Sequence, residues 1–232
     1  MDGNEDIFKD MPFRVTEAYK ALRTNIVFAL STGENKAVVI SSALPSEGKS
    51  NTSAYLAMVM AQTESRVVLI DADLRTPTQY QIFNCPNIKG LSSILAGLSH
   101  FDEVILRDVQ PNLDVITSGS SPPNPSELLG SERMSDLLEE LREEYEYIFI
   151  DTPPINLVSD AVILSSKVAG VVLVARHEKS TYNELTKAVS RLEFSGANIL
   201  GIVVNAVKEK PGRFGRYGRY GYGYGKYSQD KR

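Results

Sequence analysis

The chain has 232 residues and only one cysteine, Cys85, so no disulfide can form within it. That suits a reducing compartment. A long apolar run is also missing. The longest clean one, about Val171 to Ala175, is far short of the ~18 residues that cross a bilayer. The first residues, Met1 to Asp6, are acidic and carry no apolar signal region. A soluble, cytoplasmic chain is expected, with any membrane role supplied by a partner. Positive charge is not in excess either. The net charge is −4, which gives no general attraction to nucleic acid or to an anionic membrane.

What is present is ordinary for a globular protein: 42% apolar and 23% charged residues, enough for one large α/β domain and an appendage. The average charge hides a split. Ala206 to Arg232 carries eight Lys/Arg against two Asp/Glu, a net of +6, and leaves −10 on Met1 to Asn205. That asymmetry marks the end as an interaction segment. Helical spacing is predicted over Phe13–Leu30, with Val15, Ala18, Leu22, Ile26 and Leu30 on one face. Short strand-like runs follow at Ala37–Ser41, Val67–Ile70, Leu113–Ile116, Tyr147–Ile150, Val171–Ala175 and Gly201–Val204. Helical patterns lie between most of them, at Asn51–Gln62, Ser126–Glu144, Asp160–Ser166 and Thr181–Phe194. The alternation predicts a mostly parallel sheet with helices on both faces. Three parts are expected: 1–34, 35–205 and 206–232. The last is rich in Tyr, Gly and Arg, has almost no aliphatic side chain, and is expected to be flexible.

Ligands of such sheets bind at the carboxyl ends of the strands, and the chemistry-bearing residues fall there. After the first strand comes Ala43-Leu44-Pro45-Ser46-Glu47-Gly48-Lys49-Ser50, a GxxxxGK[ST] phosphate loop with Ala43 in place of the first glycine. Loop amides and a helix N-terminus would bind phosphate oxygens. Lys49 would reach the β- and γ-phosphates and the Ser50 hydroxyl would hold Mg²⁺. Val67–Ile70 runs into Asp71-Ala72-Asp73-Leu74-Arg75, and Tyr147–Ile150 into Asp151-Thr152-Pro153-Pro154. One strand-end aspartate is commonly a turn or cap residue. Three of them beside a phosphate loop suit Mg²⁺, a hard cation that takes one or two carboxylates alongside substrate phosphates.

Together these motifs resemble the bacterial tyrosine kinases, the BY-kinases of capsule and exopolysaccharide synthesis. The likeness also takes in Pro123-Asn124-Pro125-Ser126-Glu127-Leu128-Leu129 and Ser159-Asp160-Ala161, and runs from about Glu17 to the tyrosine-rich end. No His-Arg-Asp or Asp-Phe-Gly motif of eukaryotic-type kinases occurs. The family's Glu-x-x-Arg-x-x-Arg oligomerisation signature is matched by Glu17, Lys20 and Arg23, with lysine at the middle place. By spacing alone, Glu17 and Lys20 make an ordinary helix-surface pair.

The resemblance implies a P-loop NTPase-type fold, ATP and Mg²⁺, and an activity that phosphorylates the chain's own tail at Tyr217, Tyr220, Tyr222, Tyr224 and Tyr227. It implies Asp71, Lys49 and Asp73 as catalytic residues, with Asp71 the candidate base. Pro45, Ser46, Glu47, Gly48, Lys49, Ser50, Asn51 and Asn205 are expected to bind ATP, and Ser50, Asp73 and Asp151 to hold the metal. All three aspartates remain eligible for the metal shell. A ring-like homo-oligomer with transfer between chains, a transmembrane polysaccharide co-polymerase as activator at the inner membrane face, and a phosphotyrosine phosphatase are implied as partners. Two other readings stand beside it. One is a partition or division-site ATPase, which would carry a further lysine where this chain has Leu44. The other is a nucleic-acid module using the Arg/Gly/Tyr end, disfavoured by the −10 body, so no nucleic-acid partner is expected.

Overall fold

The computed structural model describes residues 11–208. The five tail tyrosines lie outside the described residues. In chain order the elements are α1 Phe13–Ala29, β1 Ala37–Ser42, α2 Lys49–Ala61, β2 Val67–Asp71, α3 Gln79–Ile82, α4 Leu91–Leu95, α5 Phe101–Val104, β3 Leu106–Gln110, β4 Leu113–Ile116, α6 Pro125–Gly130, α7 Glu132–Glu144, β5 Tyr147–Asp151, α8 Asp160–Ser165, β6 Gly170–Arg176, α9 Tyr182–Phe194 and β7 Ile199–Asn205. The strands form one seven-stranded sheet in the order β3-β4-β2-β5-β1-β6-β7. All pairings are parallel except β3 with β4.

Side chains alternate across the sheet, so each central strand must be apolar on both faces. On one face Val38, Ile40, Leu69, Phe149 and Val172 pack with α2, with Ile26 of α1 and with Leu30, which caps α1. On the other, Val39, Ile70, Ile150 and Leu173 pack with Leu138 and Leu141 of α7, Leu164 of α8 and Leu192 of α9. That two-sided burial explains why these strands read as unbroken apolar runs. Leu69 is fully buried, and its truncation to Ala would cost about 2–5 kcal/mol.

Two elements differ from the sequence expectation. The helix expected over Ser126–Glu144 is broken into α6 and α7 at Ser131, whose backbone is extended at φ −66°, ψ 162°. Gly130 loosens the chain before it, and the Ser131 hydroxyl donates back to the Leu128 carbonyl at 2.7 Å. Strand β3 was not expected. It is an antiparallel edge whose residues, Leu106 to Gln110, are half-buried or exposed and show no apolar run.

Candidate nucleotide site

Strand β1 is buried along all six residues and delivers the phosphate loop to the carboxyl edge of the sheet. Gly48 closes the loop in a left-handed conformation, φ 95°, as the N-cap of α2. A side chain there is excluded twice. The conformation disfavours it, and a Cβ would lie 1.9 Å from Asn205 Nδ2. Asn205, at the end of β7, donates from Nδ2 to the Glu47 carbonyl at 3.2 Å. Glu47 itself is turned inward and fully buried. It accepts from the Leu44 amide at 2.8 Å and from the Ser180 hydroxyl. Arg176 donates to the Ser46 carbonyl at 3.0 Å, and Lys179 to the Pro45 carbonyl at 2.8 Å. The end of β6 and its connection to α9 therefore hold the Ser46 and Pro45 carbonyls of the loop.

A cavity of about 360 Å³ opens over the loop, lined by Pro45, Ser46, Gly48, Lys49, Ser50, Asn51, Asp73, Arg75 and Pro153 among others. Of the expected ATP-binding set, Glu47 supports the loop from inside and Asn205 braces it, while the rest line the cavity. Beneath it the three aspartates converge. Asp71 and Asp151 are register partners on neighbouring strands. Lys49 Nζ donates to Asp73 Oδ2 at 2.9 Å and lies 3.5 Å from Asp151 Oδ1 and 3.1 Å from Ser50 Oγ. Burial alone would lower the Lys49 pKa, but Asp151 and Asp73 outweigh it, and the ammonium is held charged.

Asp71 is buried and does not line the cavity. Its Oδ2 accepts from the Thr78 and Gln79 amides at 3.0 and 2.9 Å, and its Oδ1 from the Asp73 amide at 3.2 Å. Burial, and then the charge of Asp151, raise its carboxyl to about 7, against the lowering effect of the Gln79 and Thr78 amides. Arg75 reaches the cavity wall and is fixed from behind. Its Nε donates to Asp160 Oδ2 at 3.0 Å and its Nη2 to Ser126 Oγ at 2.9 Å. The two outlying segments of the sequence likeness, around Ser126 and Asp160, thus meet at the arginine of Asp-x-Asp-x-Arg.

The donor set fits a magnesium nucleotide. Among the described residues no three His, Cys, Asp or Glu are arranged to hold a metal by themselves. Two carboxylates and a serine hydroxyl suit a cation that completes its shell with water and phosphate. The Lys49 ammonium lies against all three of those groups, so a cation is already what they hold.

The three residues expected to mediate oligomerisation lie elsewhere, on α1. Glu17 and Lys20 form an exposed ion pair at 2.8 Å. Arg23 donates to the Val59 carbonyl of α2 at 2.7 Å. Sequence reasoning missed Gln79, Arg176, Lys179 and Ser180. They belong to no motif, and the only available signal was their place at the end of β6 or in the segments that follow β2 and β6.

The sheet order, the phosphate loop and the strand-end aspartates define a P-loop nucleotide-binding protein. The AAA domain family matches residues 36–193. Tyrosine-protein kinase YwqD of Bacillus subtilis is 42% identical over 193 residues, 83% of this chain and 81% of that protein. Tyrosine-protein kinase etk of Escherichia coli is 42% identical over 191 residues, 82% of this chain and 26% of that protein, so the chain spans about a quarter of its length. The chimerical protein CapA2B2 superposes with a TM-score of 0.83 at 38% identity, covering 88% of this chain and 90% of that one. The chain belongs to the family of bacterial tyrosine-protein kinases.

Proposed function

We propose that this chain is an ATP-dependent protein-tyrosine kinase that phosphorylates the tyrosine cluster of its own C-terminal end and thereby regulates capsular or exopolysaccharide synthesis and export. The observation that carries the reading is the convergence of Lys49, Ser50, Asp73 and Asp151 beneath the phosphate loop. Phosphoryl transfer asks a protein chiefly for positioning and charge stabilisation. The loop amides and the start of α2 bind the phosphates, and Lys49 turns from the carboxylates towards them. Ser50, Asp73 and Asp151 would hold Mg²⁺, which would supply positive charge to the phosphates. Arg75, fixed by Asp160 and Ser126, places a second cation on the cavity wall.

A tyrosine hydroxyl, with pKa ~10, needs a base within hydrogen-bond reach. Asp71 is our candidate. A carboxyl near 7 is suited to proton transfer at neutral pH, and its Oδ1, which accepts only from the Asp73 amide, retains acceptor capacity. The partition-ATPase reading receives no support at Leu44, which packs half-buried against the core and offers no cation.

The acceptor tail begins where β7 ends, at Asn205, and Asn205 touches the phosphate loop. A neighbouring chain in a ring, joined through Glu17, Lys20 and Arg23, is the proposed source of the acceptor. No helix of the described residues is long and apolar enough to cross a membrane. A transmembrane co-polymerase activator is the proposed recruiter of this cytoplasmic chain, and a phosphatase resets the tail. To test transfer between chains, a Lys49→Met chain with its tail intact is mixed with an active chain whose five tail tyrosines are Phe. Phosphotyrosine on the Lys49→Met chain supports the reading. None there, while the unaltered active chain labels itself alone, refutes transfer between chains.

A further inference from the structure

Gln79 opens α3 just past the Asp-x-Asp-x-Arg segment and is fully buried. Its main-chain amide donates to Asp71 Oδ2 at 2.9 Å. Its side-chain Nε2 donates to Asp151 Oδ2 at 2.8 Å and to the Ser50 carbonyl at 3.1 Å. One residue thus joins the end of β2, the end of β5 and the first turn of α2. The orientation of the side-chain amide follows from chemistry. Both partners are acceptors, so only the NH₂ group can face them. Both amide hydrogens are spent there, and Oε1 is left buried with no partner. A buried acceptor without a donor is costly, and a residue kept only to fill space would carry no such group.

We infer that Gln79 is a positioning residue of this site, fixing Asp151 so that one oxygen is committed and the other is free for a cation. The inference rests on the magnesium-nucleotide reading above. With Oδ2 engaged by Gln79, Asp151 keeps Oδ1 on the side of Lys49 and Ser53, at 3.5 and 3.4 Å. A neutral donor suits the task. An arginine or lysine in its place would pair with Asp151 and compete with the metal. The contact to the Ser50 carbonyl couples the same amide to the residue whose hydroxyl is expected to hold the ion. Removing the amide would let Asp151 rotate and would leave its charge facing Asp71 with one neutral donor fewer.

The test is Gln79→Met, which keeps the length and removes both donors. Manganese(II) binding is read by electron paramagnetic resonance on the full chain with a non-hydrolysable ATP analogue. Nucleotide affinity without metal is read separately in EDTA. The expected result is a manganese dissociation constant raised about tenfold or more, with nucleotide affinity in EDTA within about twofold of the parent. Should Gln79→Met fail to fold, Gln79→Asn retains the amide one methylene short of spanning both acceptors, and the same shift is expected. Parent-like manganese affinity in a folded variant overturns the role of Gln79 and leaves the site reading standing. A parent that binds no manganese alongside the nucleotide overturns both.

Discussion

Replacing Lys49 by Met removes a cation from between two carboxylates and tests whether they depend on it before any nucleotide arrives. The Lys49 side chain is 9% exposed, and those of Asp73 and Asp151 are 4% and 0% exposed. Stripping one partner from a buried ion pair costs about 3–5 kcal/mol, because the remaining charge is left uncompensated. For a chain of this size that lowers the thermal midpoint by roughly 6–20 °C, at 2–4 °C per kcal/mol. The loss should depend on pH. Lys49 is among the groups that lower the Asp71 pKa, so without it the folded Asp71 carboxyl rises further above its unfolded value. Stability from such a group is fully present below the unfolded value of ~4 and is lost as pH rises through the folded value. The deficit of Lys49→Met is therefore small near pH ~5 and largest near pH ~8. Magnesium restores part of it by replacing the ammonium. Urea unfolding of parent and variant at both pH values, with and without magnesium, measures all of this. A variant as stable as the parent at the higher pH, or one that magnesium leaves unchanged, would refute the view that Lys49 is the counter-ion of Asp73 and Asp151.

Asp71→Asn is expected to abolish transfer to tyrosine while nucleotide binding survives. Its amide would also face backbone N–H donors now held by carboxylate oxygens, costing about 1–3 kcal/mol in denaturant unfolding. In the parent the Asp71 pKa is raised to about 7, so its contribution is full below ~4 and falls as pH rises towards 7; stability curves of the Asn variant lack that decline. Gly48→Ala forces a Cβ to within 1.9 Å of Asn205 Nδ2 at φ +95°; a fluorescent ATP analogue should no longer bind measurably, and retained binding would show that the loop rearranges freely. Glu17→Ala with Arg23→Ala shifts the chain towards monomer by light scattering and lowers transfer between chains. An unchanged assembly size in the presence of the activator counts against α1 as the contact.

The central architecture was legible because its strands are buried on both faces. β1, β2, β5 and β6 carry unbroken apolar runs, and β4 matches its expected bounds, Leu113–Ile116. The edge strand β3 was not legible, since Leu106-Arg107-Asp108-Val109-Gln110 is half solvated and shows no such run. The four- and five-residue helices α3, α4 and α5 are too short for a helical period to register. At the site, the phosphate loop and the three aspartates stood out because each follows an apolar strand. Gln79, Arg176, Lys179 and Ser180 act through contacts made by folding, among them those to Asp151 and to the loop at Ser46, Pro45 and Glu47. No local spacing announces such contacts. Nor did the sequence foretell that Asp71 would be wrapped by three backbone amides instead of facing the cavity.

The most direct measurement of the central claim is to incubate the purified chain with magnesium and ATP and map phosphate by mass spectrometry over its whole length. The account predicts phosphotyrosine at one or more of Tyr217, Tyr220, Tyr222, Tyr224 and Tyr227, and none in the Lys49→Met chain. Consumption of ATP with no phosphotyrosine at any position would contradict it, and would make the chain an ATPase that shares the kinase fold.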